Sequence, residues 1–375
     1  MATILHLTTV HPRSDTRILI KEARTLASNL PHKVMLMVAD GKGNVTEEQG
    51  GVSIHDIGRI DGGRAGRTIV GSWRAYLAIR RIGPAIDHFH DPELIPLGML
   101  LKAFGYKVIY DVHEDVPRQI FSKFYIPKVI RYPASYAMSA LEWFCARMCT
   151  AVIPATPIYA GRFPAKKTVV IHNFPIGAEL IVQNPTPYEQ RPPGFAYLGG
   201  IETIRGAVEM VRAFECMGDI PEARLELAGA FNPPALEADL RALPGWDSVH
   251  YHGQVGRMQV AQILGKARAG LVVLHPEPTH YESYPIKMFE YMSAGLPVIA
   301  SDFPVWRRII DGAGCGVLVD PLNPGSIADA MRSILENPAE AEAMGRRGRQ
   351  AVERSYNWDT EAGKIMGLYK KLLPS

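Results

Sequence analysis

Residues 282–301, ESYPIKMFEYMSAGLPVIAS, carry the strongest local signal of chemistry in the chain. Pro285 suits the first helical position, where a missing N–H costs nothing. Gly295 suits the place just beyond the helix end, before a buried strand opening at Pro297. Glu282 and Ser283 then fall in the loop entering the helix, and Glu290 in its second turn. A helix N-terminus turns free N–H groups and partial positive charge outward, which suits a diphosphate. Carboxylates flanking that point suit polyhydroxylated groups, because a carboxylate only accepts hydrogen bonds while sugar and ribose hydroxyls donate them. The plainer alternative pairs Glu290 with Lys287 at i, i+3 on a solvated helix face.

Other chemistries are excluded by their missing residues. A dinucleotide fingerprint needs a G-x-G-x-x-G turn after the first strand, and the segment after TILHLT is TVHPRSD, without glycine. The cluster DGAGCGV at 311–317 precedes a strand, the reverse of the required order. Nicotinamide and flavin chemistry are therefore not expected. G-x-x-x-x-G-K-[ST], H-E-x-x-H and an EF-hand loop are absent. The four cysteines, Cys145, Cys149, Cys216 and Cys315, show neither C-x-x-C nor zinc spacing. They point to a reducing compartment.

These side chains need elements to position them. A chain of 375 residues with 47% hydrophobic content is long enough for two domains of about 100–200 residues each. Apolar runs at 3–8, 33–38, 85–90, 107–112, 151–155 and 168–173 read as buried strands in the first half. Runs at 194–200, 224–229, 249–253, 269–274, 297–301 and 316–320 do so in the second. Between them, 16–29, 93–104, 134–148, 205–217, 256–267, 285–294 and 325–336 read as helices. Unalternating strands separated by helices predict parallel sheets covered on both faces, hence an α/β chain of two doubly wound, Rossmann-like domains. NPTPYEQRPPG, with four prolines, reads as a linker over 184–194. The expected first domain is then 1–183 and the second 195–355. Ligands of such sheets bind at the carboxyl ends of strands, with the cleft between domains the expected site. HPRSDTR, HFHDPE, DVHED and GGIETIRG fall at those ends. Residues 1–190 hold 22 basic and 16 acidic side chains, and the remainder 19 and 22, so the first half is expected to meet something anionic. Neither a signal peptide nor a membrane-spanning run is legible.

The string E-S-Y-P-(four residues)-E-Y-M-S-A-G-L-P-V-I-A-S resembles the E-x7-E signature of retaining glycosyltransferases of family 4, which have the GT-B fold. HLTTVHPRSDTR, HFHDPELIPLG, KVIYDVHEDVPRQI and SDFPVWRRII…CGVLVDP are similar to strings of a bacterial surface-polysaccharide subgroup. SYNWDTEAGKIMGLYKKL resembles the family's closing helix, implying that 356–375 return to the first domain. The resemblance implies that Glu282 binds donor-sugar hydroxyls and Glu290 the ribose, with the diphosphate on the N–H groups around Ser283 and Tyr284. It implies that His113 faces the donor sugar and that Gly229 and Val255 line the base pocket. The family's clamp on the leaving diphosphate is an Arg followed, a few residues on, by a Lys-Gly pair. Here Arg205 stands at the Lys position, and Gly200 stands where the Arg belongs. Either Arg205 and the helix end suffice, or Arg13 or Arg17 reaches across from the first domain. His90 and Asp91 are candidates either for acceptor binding or for a buried structural role.

The implied reaction is sugar transfer with retention, from a nucleotide-sugar, with UDP the expected nucleotide, to a glycan or lipid-linked acceptor. No D-x-D occurs between the domains, so no metal or cofactor is expected, and nucleic acid is not an expected partner. Residues 62–83 hold five arginines and no acid, and 118–132 interleave basic and aromatic side chains. Both suit an anionic lipid surface, or alternatively a solvated helix with its aromatics in the core. A cytoplasmic enzyme touching the inner face of the membrane is the resulting expectation. A nucleotide-sugar epimerase and a non-catalytic binding subunit are the rival readings.

Overall fold

The computed structural model describes residues 1–46, 50–122, 126–180 and 186–373. The chain divides into two compact units, Met1–Asn173 with Trp358–Ser375, and Phe174–Asn357.

The first unit is built on β1 (Thr3–Leu7), β2 (Lys33–Val38), β3 (Val52–Asp56), β4 (Ile86–Phe89), β5 (Val108–Val112) and β6 (Ala151–Pro154). They form one six-stranded sheet in the order β3-β2-β1-β4-β5-β6. Every pairing is parallel, with Ile4 of β1 opposite Val34 on one side and Ile86 on the other. Strands β4, β5 and β6 are buried along their whole length, which is why they read as unbroken apolar runs. β3 lacks such a run: VSIHD alternates, as befits the edge position. Residues 168–173, expected as a strand, form none. Val169 and Ile171 donate to Val152 and Pro154 of β6, but the Ile171 carbonyl is taken by the Arg17 guanidinium at 3.0 Å, so the ladder goes no further.

Helical residues 16–29 follow β1, capped by Asp15, whose carboxylate accepts from the Arg17 and Ile18 amides at 2.9 Å each. The 62–83 stretch is helical over Gly63–Gly66, Arg67–Gly71 and Ser72–Ile82. The helix expected at 134–148 begins earlier, at Lys128. The closing helix Trp358–Leu372 lies in the first unit: Trp358 Nε1 donates to Thr25 at 2.9 Å, and the buried Tyr369 hydroxyl is 2.8 Å from His88 Nδ1.

The second unit repeats the plan with β7 (Gly194–Leu198), β8 (Arg224–Ala228), β9 (Val249–Tyr251), β10 (Ala269–Val272), β11 (Val298–Ser301) and β12 (Gly316–Val319). Their order is β12-β11-β10-β7-β8-β9, again all parallel. The strand order of both sheets therefore reverses at one place, between β1 and β4 and between β7 and β10, which is where doubly wound sheets take ligands.

The expected linker is corrected here. Residues 184 and 185 lie outside the described residues, but 186–194 are part of the second unit. Tyr188 is buried in its core, its hydroxyl donates to the Arg268 carbonyl at 2.6 Å, and Arg191 and Arg268 flank its ring. The boundary falls instead before Phe174, whose ring packs on Phe289 and Tyr356. Aromatic burial outweighs proline content in deciding to which unit the segment belongs.

Candidate active site

In the second unit the switch point is lined by bare backbone. β7 runs into Gly199 and Gly200, and β8 into Gly229. Gly199 and Gly229 have φ of +137° and +143°. A Cβ on Gly229 would stand 1.9 Å from the Gly199 carbonyl oxygen, and one on Gly199 2.4 Å from Lys287 Cε. Only glycine lets these strand ends and the neighbouring side chain approach so closely. Arg205 follows in the turn Thr203–Arg205, its Nε 3.3 Å from Glu202.

The helix predicted from the E-x7-E string runs Ile286–Ser293. Pro285 is the residue before it rather than its first, with ψ of 121°, and no side chain caps the start. The opening turn therefore presents uncapped N–H groups. Gly295 takes the left-handed conformation at φ +73°. Glu290 pairs with Arg257 at 2.6 Å, not with Lys287. The Ser283 amide and hydroxyl are both spent on the His280 carbonyl, at 3.1 and 3.0 Å. The N–H groups at the helix start itself are thus better placed for an anion than that of Ser283. Glu282 and Tyr284 are half-buried beside it. Val255 lines a cavity of about 300 Å³ with Glu226, His252 and Gln259. Gly229 donates to Gly253 and accepts from the Tyr251 hydroxyl, both at 2.8 Å.

In the sequence Lys287 stands out only as a partner for Glu290. In the structure its ammonium lies 5.2 Å from the centre of the Tyr197 ring, against Gly199. Burial, with the Arg205 charge second, pulls it down to about 8.

In the first unit the carboxyl ends of β1, β4 and β5 converge on a buried polar network. Asp91 accepts from the Thr8 and Thr9 hydroxyls and from the Val10 amide, pinning the loop after β1. Asp111 receives both arms of Arg17, at 3.1 and 2.9 Å. Its Oδ2 is also 3.2 Å from His90 Nδ1 and 3.4 Å from His113 Nε2. His90 Nδ1 and His113 Nε2 are themselves 3.1 Å apart, one donating to the other, and His90 Nε2 is 3.0 Å from His6 Nδ1. Nδ1 is the His113 ring nitrogen left outside this network. Burial alone would raise Asp111, but Arg17 and His113 hold it well below the usual carboxylate range. Glu22, buried beside the same arginine, is pushed well above its usual range by desolvation and by Asp111. His11, whose hydrogen bond to Asp15 raises its pKa, stands with its ring 5.0 Å from His113.

The positions expected for several residues are corrected by this geometry. Arg17 is buried and bound to Asp111, so it is not free to reach a diphosphate; Arg13 is committed to Asp40 at 2.7 and 2.6 Å. His90 and Asp91 are buried and hydrogen-bonded within the unit, the structural alternative of the two. Sequence reasoning missed His6, His88 and Asp111, which sit inside runs read as buried strands, Glu22, inside a predicted helix, and His11, visible only as part of HPRSDTR.

Among the described residues three groups have metal-ligand composition: His6, Glu22, His88 and His90; His90, Asp111 and His113; and Glu226, His250 and His252. In the first two the Arg17 guanidinium, 3.1 Å from Glu22 and 2.9 Å from Asp111, already supplies the positive charge that the carboxylates need. In the third, both imidazoles face one oxygen of Glu226, an arrangement that hydrogen bonding satisfies.

Residues 182–351 match the family described as Glycosyl transferases group 1, and residues 17–174 match Glycosyltransferase Family 4. The MMP alpha-(1->4)-mannosyltransferase of Mycolicibacterium hassiacum is 20% identical over 296 residues, covering 76% of this chain and 71% of that protein. Several other curated relatives are spanned over only 25–42% of their length. Among solved structures, a sucrose-phosphate synthase from Thermosynechococcus elongatus superposes with a TM-score of 0.79 at 19% identity over 99% of both chains. Anabaena Alr3699/HepE in complex with UDP-glucose does so at 0.73 and 14%, over 99% of this chain and 100% of that one. With two doubly wound units, GT-B neighbours along its whole length and family matches covering both halves, the chain belongs to the family 4 glycosyltransferases.

Proposed function

We propose that the protein is a retaining glycosyltransferase that moves a hexose from a UDP-sugar to a glycan or lipid-linked acceptor in surface-polysaccharide synthesis. One observation carries the reading. An uncapped helix start stands among Glu282, Glu290 and Arg205 at the switch point of a parallel sheet. The uncapped N–H groups and Arg205 suit the diphosphate, Glu282 the sugar hydroxyls and Glu290 the ribose, for which Arg257 is the present partner. The sugar C1–O bond breaks with its electron pair going to the diphosphate, whose growing negative charge these oriented donors stabilise. The acceptor hydroxyl attacks the same face, and its proton passes to the departing phosphate oxygen. His113 contributes its Nδ1 toward a substrate hydroxyl, with Asp111 holding the ring. Gly229 and Val255 are proposed for the base. No metal is assigned to the reaction.

The UDP-glucose complex of HepE supports the nucleotide, and the Mycolicibacterium relative supports a hexosyl group. Peripheral membrane binding is part of the proposal, carried by apolar and basic side chains exposed along 67–82 and 126–147.

The test is incubation with a panel of nucleotide-sugars, with and without extracted membrane lipids. Acceptor-dependent release of UDP is expected, lost in Glu282→Gln. Sugar interconversion without acceptor would make the protein an epimerase. Binding without turnover would make it a non-catalytic subunit.

A further inference from the structure

This chain has Gly200 where the family's clamp has its arginine, and Arg13 and Arg17 are hydrogen-bonded to Asp40 and Asp111. We infer that Lys287 is the missing cation, binding the donor's diphosphate beside Arg205 in the space that Gly199 and Gly200 leave open. The inference rests on the donor reading above and names a residue that reading does not use.

Position is the first argument. Lys287 is the second residue of Ile286–Ser293, so its chain rises from the same uncapped turn that offers N–H groups. Its Nζ would be 2.6 Å from a Cβ at Gly199, and Arg205 Nη1 3.5 Å from one at Gly200. Gly199 thus clears the ground for the ammonium, while Gly200 brings Arg205 to its other side at ordinary contact distance.

Charge is the second argument. The nearby acids are taken: Glu202 pairs with Arg205, and Glu290 with Arg257. Among the described residues Lys287 has no ion pair, only the face of Tyr197. A shielded ammonium without a counter-ion, next to a guanidinium, is unfavourable in the empty protein. A diphosphate relieves both charges together.

The groups around the amine agree. Arg205, with Glu202 in the same segment, Tyr197 from β7 and Glu290 from the lysine's own helix are the charged and titratable groups around the amine. Burial and Arg205 prevail, so Lys287 sheds its proton near pH 8 instead of near its ordinary value of 10.5. Below that it is an ammonium and able to bind; above it the grip weakens.

Titration calorimetry of the full chain with UDP and with GDP tests this, using Lys287→Met and Lys287→Arg. Methionine keeps the stem and removes a desolvated charge, so the variant should fold with a melting temperature at or above that of wild type. At pH 7.5 the Met variant should bind the nucleoside diphosphate about 10- to 100-fold more weakly, the loss of one charged hydrogen-bonding partner, with Arg restoring most of it. Wild-type affinity should fall several-fold from pH 7.5 to 9.5, while that of Lys287→Arg stays level. Wild type and Met variant binding equally would overturn this inference alone. Folded wild type binding neither nucleotide would overturn the donor reading and this inference with it.

Discussion

Asp111 shows how much one side chain can set. It neutralises Arg17, orients His90 and turns His113 so that one ring nitrogen faces outward. Asp111→Asn keeps the shape but leaves the buried guanidinium to Glu22, 3.1 Å away, a loss of at most about 3–5 kcal/mol, the cost when a buried pair is broken outright. Urea unfolding should report a drop of that order. Turnover should fall at least about tenfold through the misoriented His113, while UDP affinity stays unchanged. Unchanged turnover in the folded variant would remove His113 and its support from the reaction. The sequence made His113 legible because DVHED stands at a strand end. It left Asp111 unread, because a carboxylate inside KVIYDV declares its partners only when β1 and its helix are laid beside β5.

Asp15 shows the same division for an element. As the cap of the helical residues 16–29 it binds the Arg17 and Ile18 amides and the His11 ring. Burial opposes its ionisation, but the His11 and Ile18 bonds overcome this and hold it at about 2, against an ordinary 3.8. The carboxylate therefore stabilises the fold fully above about pH 4, and that stability is lost as pH falls through 2. The shift corresponds to about 2 kcal/mol. Asp15→Ala should lower unfolding free energy by about that amount at pH 7, and by progressively less below pH 3; a pH-independent difference would contradict the assignment. Elements buried on both faces were legible as apolar runs, whereas β3 was not, because an edge strand alternates. Residues 168–173 misled in the opposite sense: they have a strand's composition, but their carbonyls are claimed by a side chain.

At the scale of the whole chain, no helix among the described residues is long and apolar enough to cross a membrane, yet large apolar side chains are exposed in the first unit. Val129 is 84% exposed, Tyr136 75% and Ile69 71%, with Trp73, Trp143 and Phe144 half-exposed or more. Arginines and lysines stand among them. The sequence marked 62–83 and 118–132; Lys123, Phe124 and Tyr125 lie outside the described residues, and the exposed face continues beyond 132 to Phe144. The alternative that these aromatics fill a core does not hold for Trp73, Tyr132 or Phe121. Sedimentation with vesicles should show binding when they contain phosphatidylserine or phosphatidylglycerol and little to pure phosphatidylcholine, weakening with salt. Replacing Trp73 and Val129 by glutamate should abolish it and leave UDP binding intact. Equal binding to neutral vesicles, or none, would contradict the proposed surface.

The central claim is that the second unit holds a nucleotide diphosphate at the start of Ile286–Ser293, and a crystal structure with UDP bound tests it most directly. The account predicts the diphosphate on the amides of that first turn, within reach of Arg205 and Lys287, and the ribose on Glu290 released from Arg257. UDP bound away from the carboxyl ends of β7 and β10, with Glu290 still paired to Arg257, would contradict it.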